Sequence, residues 1–287
     1  MGACILCGID GSREAGRAAA IGARLARDLD ARALLVHVDE DARPSRSGVS
    51  WPAPRRAWRK RRLLKATAEE CCFPPKTELR LERGDPTAAL LAVAQEEDAE
   101  LVVVSTGGRG TASPVLLGGT ASALMRSCPC PVLVVPTTSA VPLDSPSMHD
   151  IACAIEGRPS DVSVIALAAD LARRLSADLH VVVGTESFAR GGESAETRLA
   201  NLLGGIDLEA HTHALPLATG DAVERVASDE RAVLAVVGPP ETDEPSSVLS
   251  APVAIRLAAA GSTALVVLPR EAELQVGSGH YELARAP

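Results

Sequence analysis

Residues 101–110 read Leu-Val-Val-Val-Ser-Thr-Gly-Gly-Arg-Gly, an apolar run of strand length that passes directly into a glycine-rich turn. Residues 116–121 follow as Leu-Leu-Gly-Gly-Thr-Ala and predict the start of a helix, and residues 131–135 predict another strand. Glycine lets the backbone approach a phosphate closely, and a helix N-terminus offers free N–H groups to the same anion. The stretch therefore predicts an α/β unit with an anion site, although glycines also serve tight turns and close helix packing.

The sequence before this stretch alternates between predicted strands and helices. Strand-like runs and helical spacing follow one another in the order 3–9 (strand), 18–29 (helix), 33–38 (strand), 77–81 (strand) and 86–97 (helix). Pro86 stands at a helix start, where a missing N–H costs little. This alternation predicts parallel βαβ units with right-handed crossovers in a doubly wound sheet.

The same pattern occurs a second time in the chain. Residues 151–156 correspond to residues 5–10, Gly220-Asp221 to Gly84-Asp85, and the final apolar run at 265–269 to that at 132–136. The sequence therefore predicts a tandem duplication with a shorter connection between the second and third strands of the second unit. The predicted organisation is a first domain at 1–138, a second domain at 150–270 and a C-terminal tail at 271–287, with a linker at 137–149.

Composition narrows the class of protein. A length of 287 residues fits two domains, and a core of Ala, Val, Leu and Ile suits buried parallel sheets. The net charge of −8 and an aromatic content of only 2% argue against nucleic-acid binding, by charge or by base stacking, and against anionic membranes. Seven cysteines, no signal-peptide pattern and no apolar run of spanning length predict a cytoplasmic protein.

The order and spacing of these motifs resemble a universal stress protein. The resemblance covers residues 1–136 and is carried by Gly-Ile-Asp-Gly-Ser at 8–12, His-Val-Asp-Glu at 37–40, Gly84-Asp85-Pro86 and the stretch 101–136. The layout of 151–270 makes the whole chain resemble the tandem form. The resemblance implies two tandem doubly wound parallel sheets of five strands, order 3-2-1-4-5, with helices on both faces. It also implies a stress-response binding module that takes ATP, alone or with Mg²⁺.

The family's ATP-binding motif, Gly-x2-Gly-x9-Gly-[Ser/Thr], can be carried onto this chain residue by residue. Its positions fall on Ser105, Gly108, Gly118 and Gly119, and Thr120 offers a hydroxyl next to the last one. Ser105 adds a Cβ and Gly119 lacks a side-chain oxygen, so two positions depart from the motif. The resemblance further implies that Asp10 lies beside the adenosine and that the backbone around Val38 meets the adenine edge.

The second unit has lost this motif. Pro239 and Pro240 remove backbone donors from its loop, and Glu241, Asp243 and Glu244 would repel phosphate. We therefore expect no ATP there. Glu156, which stands in the place of Asp10, is interpreted as a solvated loop carboxylate.

No catalytic constellation is recognisable in the sequence. There is no ordered set of nucleophile, base and orienting acid, no metal-ligand cluster and no Walker-type lysine after the glycines. We expect at most slow ATP hydrolysis. The alternatives are a nucleotide-free scaffold of the same fold that presents a surface to protein partners, and a weak ATPase or nucleotide-dependent transferase.

Four weaker features complete the predictions. The final strands 132–135 and 264–268 should pair within the chain, the alternative being a homodimer. Cys4 and Cys7 should point to opposite faces of a strand and pack as core residues. His211 and His213 share a strand face and are interpreted as a surface pair. The basic segment Arg55–Lys65 is either a solvated helix face or a site for a polyanion or protein partner.

Overall fold

The computed structural model describes residues 3–40, 54–107, 117–139, 150–188, 195–204, 208–240, 253–270, 272, 274–276 and 281–283. Three features of the sequence analysis lie outside these residues. They are Gly108, the greater part of the linker and the acidic residues 241–244.

The described chain alternates strands and helices from its start. The first half contains β1 (Cys4–Gly8), α1 (Arg13–Asp28), β2 (Arg32–Asp39), α2 (Pro54–Glu70), β3 (Glu78–Arg83), α3 (Pro86–Glu96), β4 (Leu101–Ser105), α4 (Gly119–Ser127) and β5 (Val132–Val135). The second half contains β6 (Asp150–Ile155), α5 (Asp161–Leu175), β7 (Asp178–Gly184), α6 (Thr185–Phe188), α7 (Ala195–Leu203), β8 (Ala210–Leu215), α8 (Thr219–Asp229), β9 (Leu234–Val237), α9 (Val253–Ala260) and β10 (Ala264–Val267).

Ten strands form one continuous sheet in the order β3-β2-β1-β4-β5-β10-β9-β6-β7-β8. Within each half the neighbouring strands are parallel and follow the order 3-2-1-4-5. The two halves meet at β5 and β10, which pair antiparallel. The predicted fold class and the predicted pairing of the two final strands are thus confirmed.

Apolar strands buried on both faces explain why the sheet is sandwiched between helices. Cys4 and Leu6 pack into the core on one face, whereas Ile5 and Cys7 pack into the core on the other. Alternate residues of a strand point to opposite faces, so the two thiols are separated as predicted. Helices α1, α2, α5 and α7 cover one face, and α3, α4, α8 and α9 cover the other.

The internal repeat is real, but one of its predicted correspondences is wrong. Asp85 is the N-cap of α3, and the residue that holds this position before α8 is Ala218, 133 positions later, not Asp221. Gly84 has a left-handed φ of +104° before the helix, whereas Gly220 lies inside α8. The dipeptide Gly220-Asp221 therefore lies about one helical turn further into its helix than Gly84-Asp85 does.

The remaining described segments add one small element. Residues 274–276 and 281–283, within the predicted tail, form a two-stranded antiparallel sheet of β11 (Leu274–Val276) and β12 (Tyr281–Leu283). Among the residues described, no helix combines the length and the apolar character needed to cross a membrane.

Candidate functional site

A cleft of about 580 Å³ opens in the first half at the carboxyl ends of β1, β2 and β4. The chain leaves β1 toward α1 on one face of the sheet and leaves β4 toward α4 on the other face. The two connections diverge at neighbouring strands, and this divergence creates the cleft. In open α/β sheets, ligands bind at such a switch point.

Six of the seven candidate residues line this cleft. They come from four separate segments of the chain: Asp10, Val38, Ser105, and the run Gly118, Gly119 and Thr120. The seventh, Gly108, lies outside the described residues. The fold thus brings together residues that are more than one hundred positions apart in sequence.

Asp10 is held in place by the turn between β1 and α1. Its Oδ1 accepts a hydrogen bond of 2.8 Å from the backbone N–H of Ser12, and Ser12 Oγ in turn caps α1 by accepting from the N–H of Ala15. The preceding carbonyl, that of Ile9, lies 2.8 Å from the buried Nδ1 of His37. These contacts fix the Asp10 carboxylate at the rim of the cleft.

Thr106 organises the exit from β4. Its N–H donates to the carbonyl of Val135, its carbonyl accepts from the N–H of Gly118 at 2.8 Å, and its Oγ1 accepts from the N–H of Thr137. Thr106 is buried, so these bonds tie the end of β4 to the start of α4. The Ser105 hydroxyl donates to the carbonyl of Gly107 at 2.5 Å and thereby tightens the same turn.

Two helices begin at the cleft, and they differ in how their first turns are capped. The N-terminus of α3 is satisfied by Asp85, whose Oδ1 accepts from the N–H of Ala88 at 2.8 Å. The N-cap of α4 is Gly118, which makes no side-chain cap hydrogen bond. Because uncapped N–H groups and the positive end of the helix dipole attract anions, the α4 end is the better place for negative charge.

The cleft also contains residues that the sequence analysis did not assign to a site. The polar ones are Glu40, Asp85, Thr87 and Thr106, and the apolar ones include Ile9, Val36, Leu90 and Val104. Asp85-Pro86 was recognisable as a helix start in the sequence, but only the fold shows that this start faces the same cleft as Gly118 and Gly119. With Asp10, Glu40 and Asp85, three carboxylates line the cleft.

Comparisons with known proteins agree with this architecture. The model of the universal stress protein family matches residues 4–136. A universal stress protein of Thermus aquaticus is 34% identical over 133 residues, which make up 46% of this chain and 96% of that protein. The chain belongs to the universal stress protein family.

The resemblance to other members of the universal stress protein family extends beyond the first half. A universal stress protein of Mycobacterium tuberculosis is 28% identical over 185 residues, which are 62% of each chain. The crystal structure of a universal stress protein from Archaeoglobus fulgidus superposes with a TM-score of 0.68 at 13% identity. That match covers 93% of this chain and 98% of the other, so it shows a shared fold over both halves.

In the second half of this universal stress protein, the chain itself occupies the space beside the end of β7, which corresponds to the Val38 side of the cleft. Gly184 ends β7 where Val38 stands near the end of β2, and a Cβ at Gly184 would overlap the backbone of Leu217, Ala218 and Thr219. The start of α8 thus presses directly onto the sheet. Arg256 of α9 lies across the first turn of α8 and pairs with Asp221 at 2.6 Å.

Glu156 is not the solvated loop carboxylate that we expected. Its side chain is only 7% exposed and pairs with Arg158 at 2.9 Å. Arg158 also donates to the carbonyl of Pro239, and Arg270 donates to the carbonyl of Pro240. A buried carboxylate needs a cation nearby, and Arg158 supplies it while also binding the backbone just after β9.

The basic segment lies on α2. Lys60 points inward and pairs with the buried Asp39 at the end of β2, next to the cleft. Trp58 is 60% exposed, and the guanidinium of Arg62 lies 5.5 Å from its ring centroid. Apart from Lys60, the described part of this segment is thus mainly a solvated face; its use by a partner stays a prediction.

Proposed function

We propose that this protein is a stress-response binding module that holds one adenine nucleotide, ATP with Mg²⁺, in the cleft of its first half. The observation that carries the proposal is the uncapped N-terminus of α4, at Gly118 and Gly119, which faces the same cleft as Asp10 and Val38. A phosphate at the α4 end of the cleft and a nucleoside at the end lined by Asp10 and Val38 suit this distribution of groups.

The phosphates are assigned to the α4 side of the cleft. There the first-turn N–H groups and the hydroxyl of Thr120 can donate to phosphate oxygens. The α3 side carries Asp85, whose carboxylate already caps that helix and would repel a phosphate. Mg²⁺ would neutralise part of the phosphate charge and so reduce repulsion by the carboxylates that line the cleft.

The nucleoside is assigned to the side of β1 and β2. Ile9, Val36 and Val38 offer an apolar wall to a base, and the carboxylate of Asp10 can accept hydrogen bonds from ribose hydroxyls. Among the described residues that line the cleft there is no Lys, Arg or His.

The experiment is a calorimetric titration with MgATP on the full chain and on Gly119→Leu. A Cβ at Gly119 would meet no atom within 4 Å, so the fold can accept a side chain that reaches into the cleft. We expect one site per chain in the wild type. In Gly119→Leu we expect the affinity for MgATP to fall by at least roughly a hundredfold, which is the loss expected when two charge-assisted hydrogen bonds are removed.

The matched control is Gly16→Leu. Gly16 is also helical and also has no atom within 4 Å of an added Cβ, but it does not line the cleft. The affinity of the Gly16→Leu variant for MgATP should equal that of the wild type. Equal affinity in Gly119→Leu, or two equivalent sites per chain, would contradict the proposal and favour a nucleotide-free scaffold.

We further propose a cytoplasmic location. All seven cysteines are free, and five of them are buried in the core as thiols. Such a set suits a reducing compartment.

A further inference from the structure

Three histidines and a glutamate of the second half meet near the outer edge of the sheet. His180 of β7 is paired in register with His211 of the edge strand β8, and Val182 with His213. Side chains two positions apart share a face, so all three rings lie on one side of the sheet. Glu230 forms the C-cap of α8, which covers that side.

The groups are close enough to act on one ion. Nδ1 of His180 and Nε2 of His213 are 3.0 Å apart. Together with a carboxylate oxygen of Glu230, all three candidate ligand atoms lie within 4.8 Å of one another. In a tetrahedral zinc site with bonds of about 2.1 Å, ligand atoms are roughly 3.4 Å apart, so only a small movement of the exposed Glu230 is needed.

The corresponding position in the first half contains a network of ion pairs. There Glu97 is the C-cap of α3, as Glu230 is of α8, and Arg80 takes the strand position of His213. Arg80 pairs with Glu97 at 3.0 Å, and Arg32 adds a second ion pair to Glu97 at 2.9 Å. The carboxylate of the first half is thus neutralised by two arginines.

In the second half the carboxylate is kept, but its arginine partners are not. Among the described residues, Glu230 forms no ion pair with Lys or Arg, and His180 and His213 stand beside it instead. Neutral imidazole is a metal ligand and carries no charge of its own. A bound cation would restore the neutralisation that arginine provides in the first half.

We propose that His180, His213 and Glu230 bind a divalent transition-metal ion of the zinc type at this edge of the sheet. Two imidazole nitrogens and one carboxylate are a ligand set that zinc accepts, and they leave a fourth position for water. The ion would fasten the edge strand β8 to the end of α8.

Asp150 supports the site from behind. Its Oδ1 lies 3.5 Å from Nε2 of His180, the ring nitrogen that faces away from His213. A carboxylate in this place favours the proton on Nε2 and leaves the lone pair on Nδ1 for the metal. Such outer partners are a regular feature of metal-binding histidines. Asp150 is therefore a positioning residue.

The test uses the full chain without an affinity tag, freed of metal with a chelator, and titrated with Zn²⁺ by calorimetry. Cys72→Ser serves as the common background, because the exposed thiol of Cys72 could itself capture zinc. We expect one Zn²⁺ per chain and a rise in melting temperature. His213→Gln and Glu230→Gln should each weaken binding more than the roughly 10–100-fold expected for Asp150→Asn.

Two further variants separate loss of the site from loss of the fold. His213→Arg recreates the pairing of Arg80 with Glu97, so it should fold normally and bind no zinc at this site. His211→Gln removes an exposed ring that stacks on His180 at 5.1 Å but is not in the ligand set, and it should bind zinc as the background does. Absence of saturable binding, or full affinity in His213→Arg, would overturn the proposal. Equal losses in His211→Gln and His213→Gln would overturn the ligand set.

Discussion

Val266 of β10 lies opposite Leu133 of β5, and this antiparallel pair joins the two halves of the molecule into one sheet. Both residues are fully or almost fully buried. The strand edge that each half would otherwise expose is covered by the other half. The outer edge at β3 carries charged residues, and Arg80 there forms ion pairs with Glu82, Glu96 and Glu97. Charged edges discourage further strand pairing.

We therefore expect the protein to be a monomer at micromolar concentration. Light scattering should give a mass of 29.7 kDa, that of one chain. A stable species of twice that mass would show that internal pairing of β5 with β10 does not replace a dimer.

Gly22 of α1 packs against Cys7 of β1 without room for a side chain. A Cβ at Gly22 would overlap the Sγ of Cys7, which is buried in the core. Gly22→Ala should therefore lower the free energy of unfolding by about 1–3 kcal/mol in urea denaturation.

The cause can be tested with a double variant. Removing the sulfur in Cys7→Ala should offset part of this loss, so that the two changes are not additive. Gly16→Ala in the same helix, where nothing lies within 4 Å, should be neutral or stabilising. Additive losses in the Cys7→Ala and Gly22→Ala pair would show that the close contact is not the cause.

The thiols should differ sharply in reactivity. Cys72 is exposed, whereas burial, followed by the nearby Glu70, raises the pKa of its neighbour Cys71 to about 11. Burial also raises the pKa values of Cys7 and Cys153. At pH 8 only about one part in a thousand of Cys71 is thiolate, the reactive form. A thiol reagent at pH 8 should therefore label one cysteine fast and the other six only after denaturation.

Cys72→Ser is the control for this labelling. It should abolish the fast phase and leave the total after denaturation lower by one. Two or more fast thiols in the folded wild type would mean that the core opens more readily than its burial indicates.

Asp85→Asn tests the assignment of the phosphates to the α4 side. Asn caps a helix about as well as Asp, so stability should change little. The variant removes a negative charge from the cleft, and ATP should bind more tightly. The gain should be larger for ATP without Mg²⁺ than for MgATP, and larger at low ionic strength. Weaker binding of both forms would place the phosphates, or their metal ion, at Asp85.

Six of the seven candidate residues, which the family resemblance supplied for the most part, line one cleft. Asp10, Val38 and Ser105 come at or near the ends of apolar runs, and parallel strands of one sheet end along the same edge. What could not be predicted is the contribution of Asp85, since sequence does not show which helix start faces which strand ends. The burial of Glu156 was not predicted for the same reason. Its partner Arg158 is held by a hydrogen bond to the carbonyl of Pro239, which is far away in the sequence.

The histidine cluster shows most clearly which part of a site cannot be predicted from the sequence. His211 and His213 are two residues apart, and their shared face follows from strand periodicity alone. His180 and Glu230 join them only through strand register and the end of α8.

The sequence by itself determined the fold class, the duplication and the location of the glycine loop, because these depend on local periodicity and turn chemistry. Only the tertiary structure decided that the Val38 side of the cleft is open in the first half while the start of α8 occupies the equivalent space in the second, because that depends on contacts between segments far apart in the chain, such as Gly184 with Thr219.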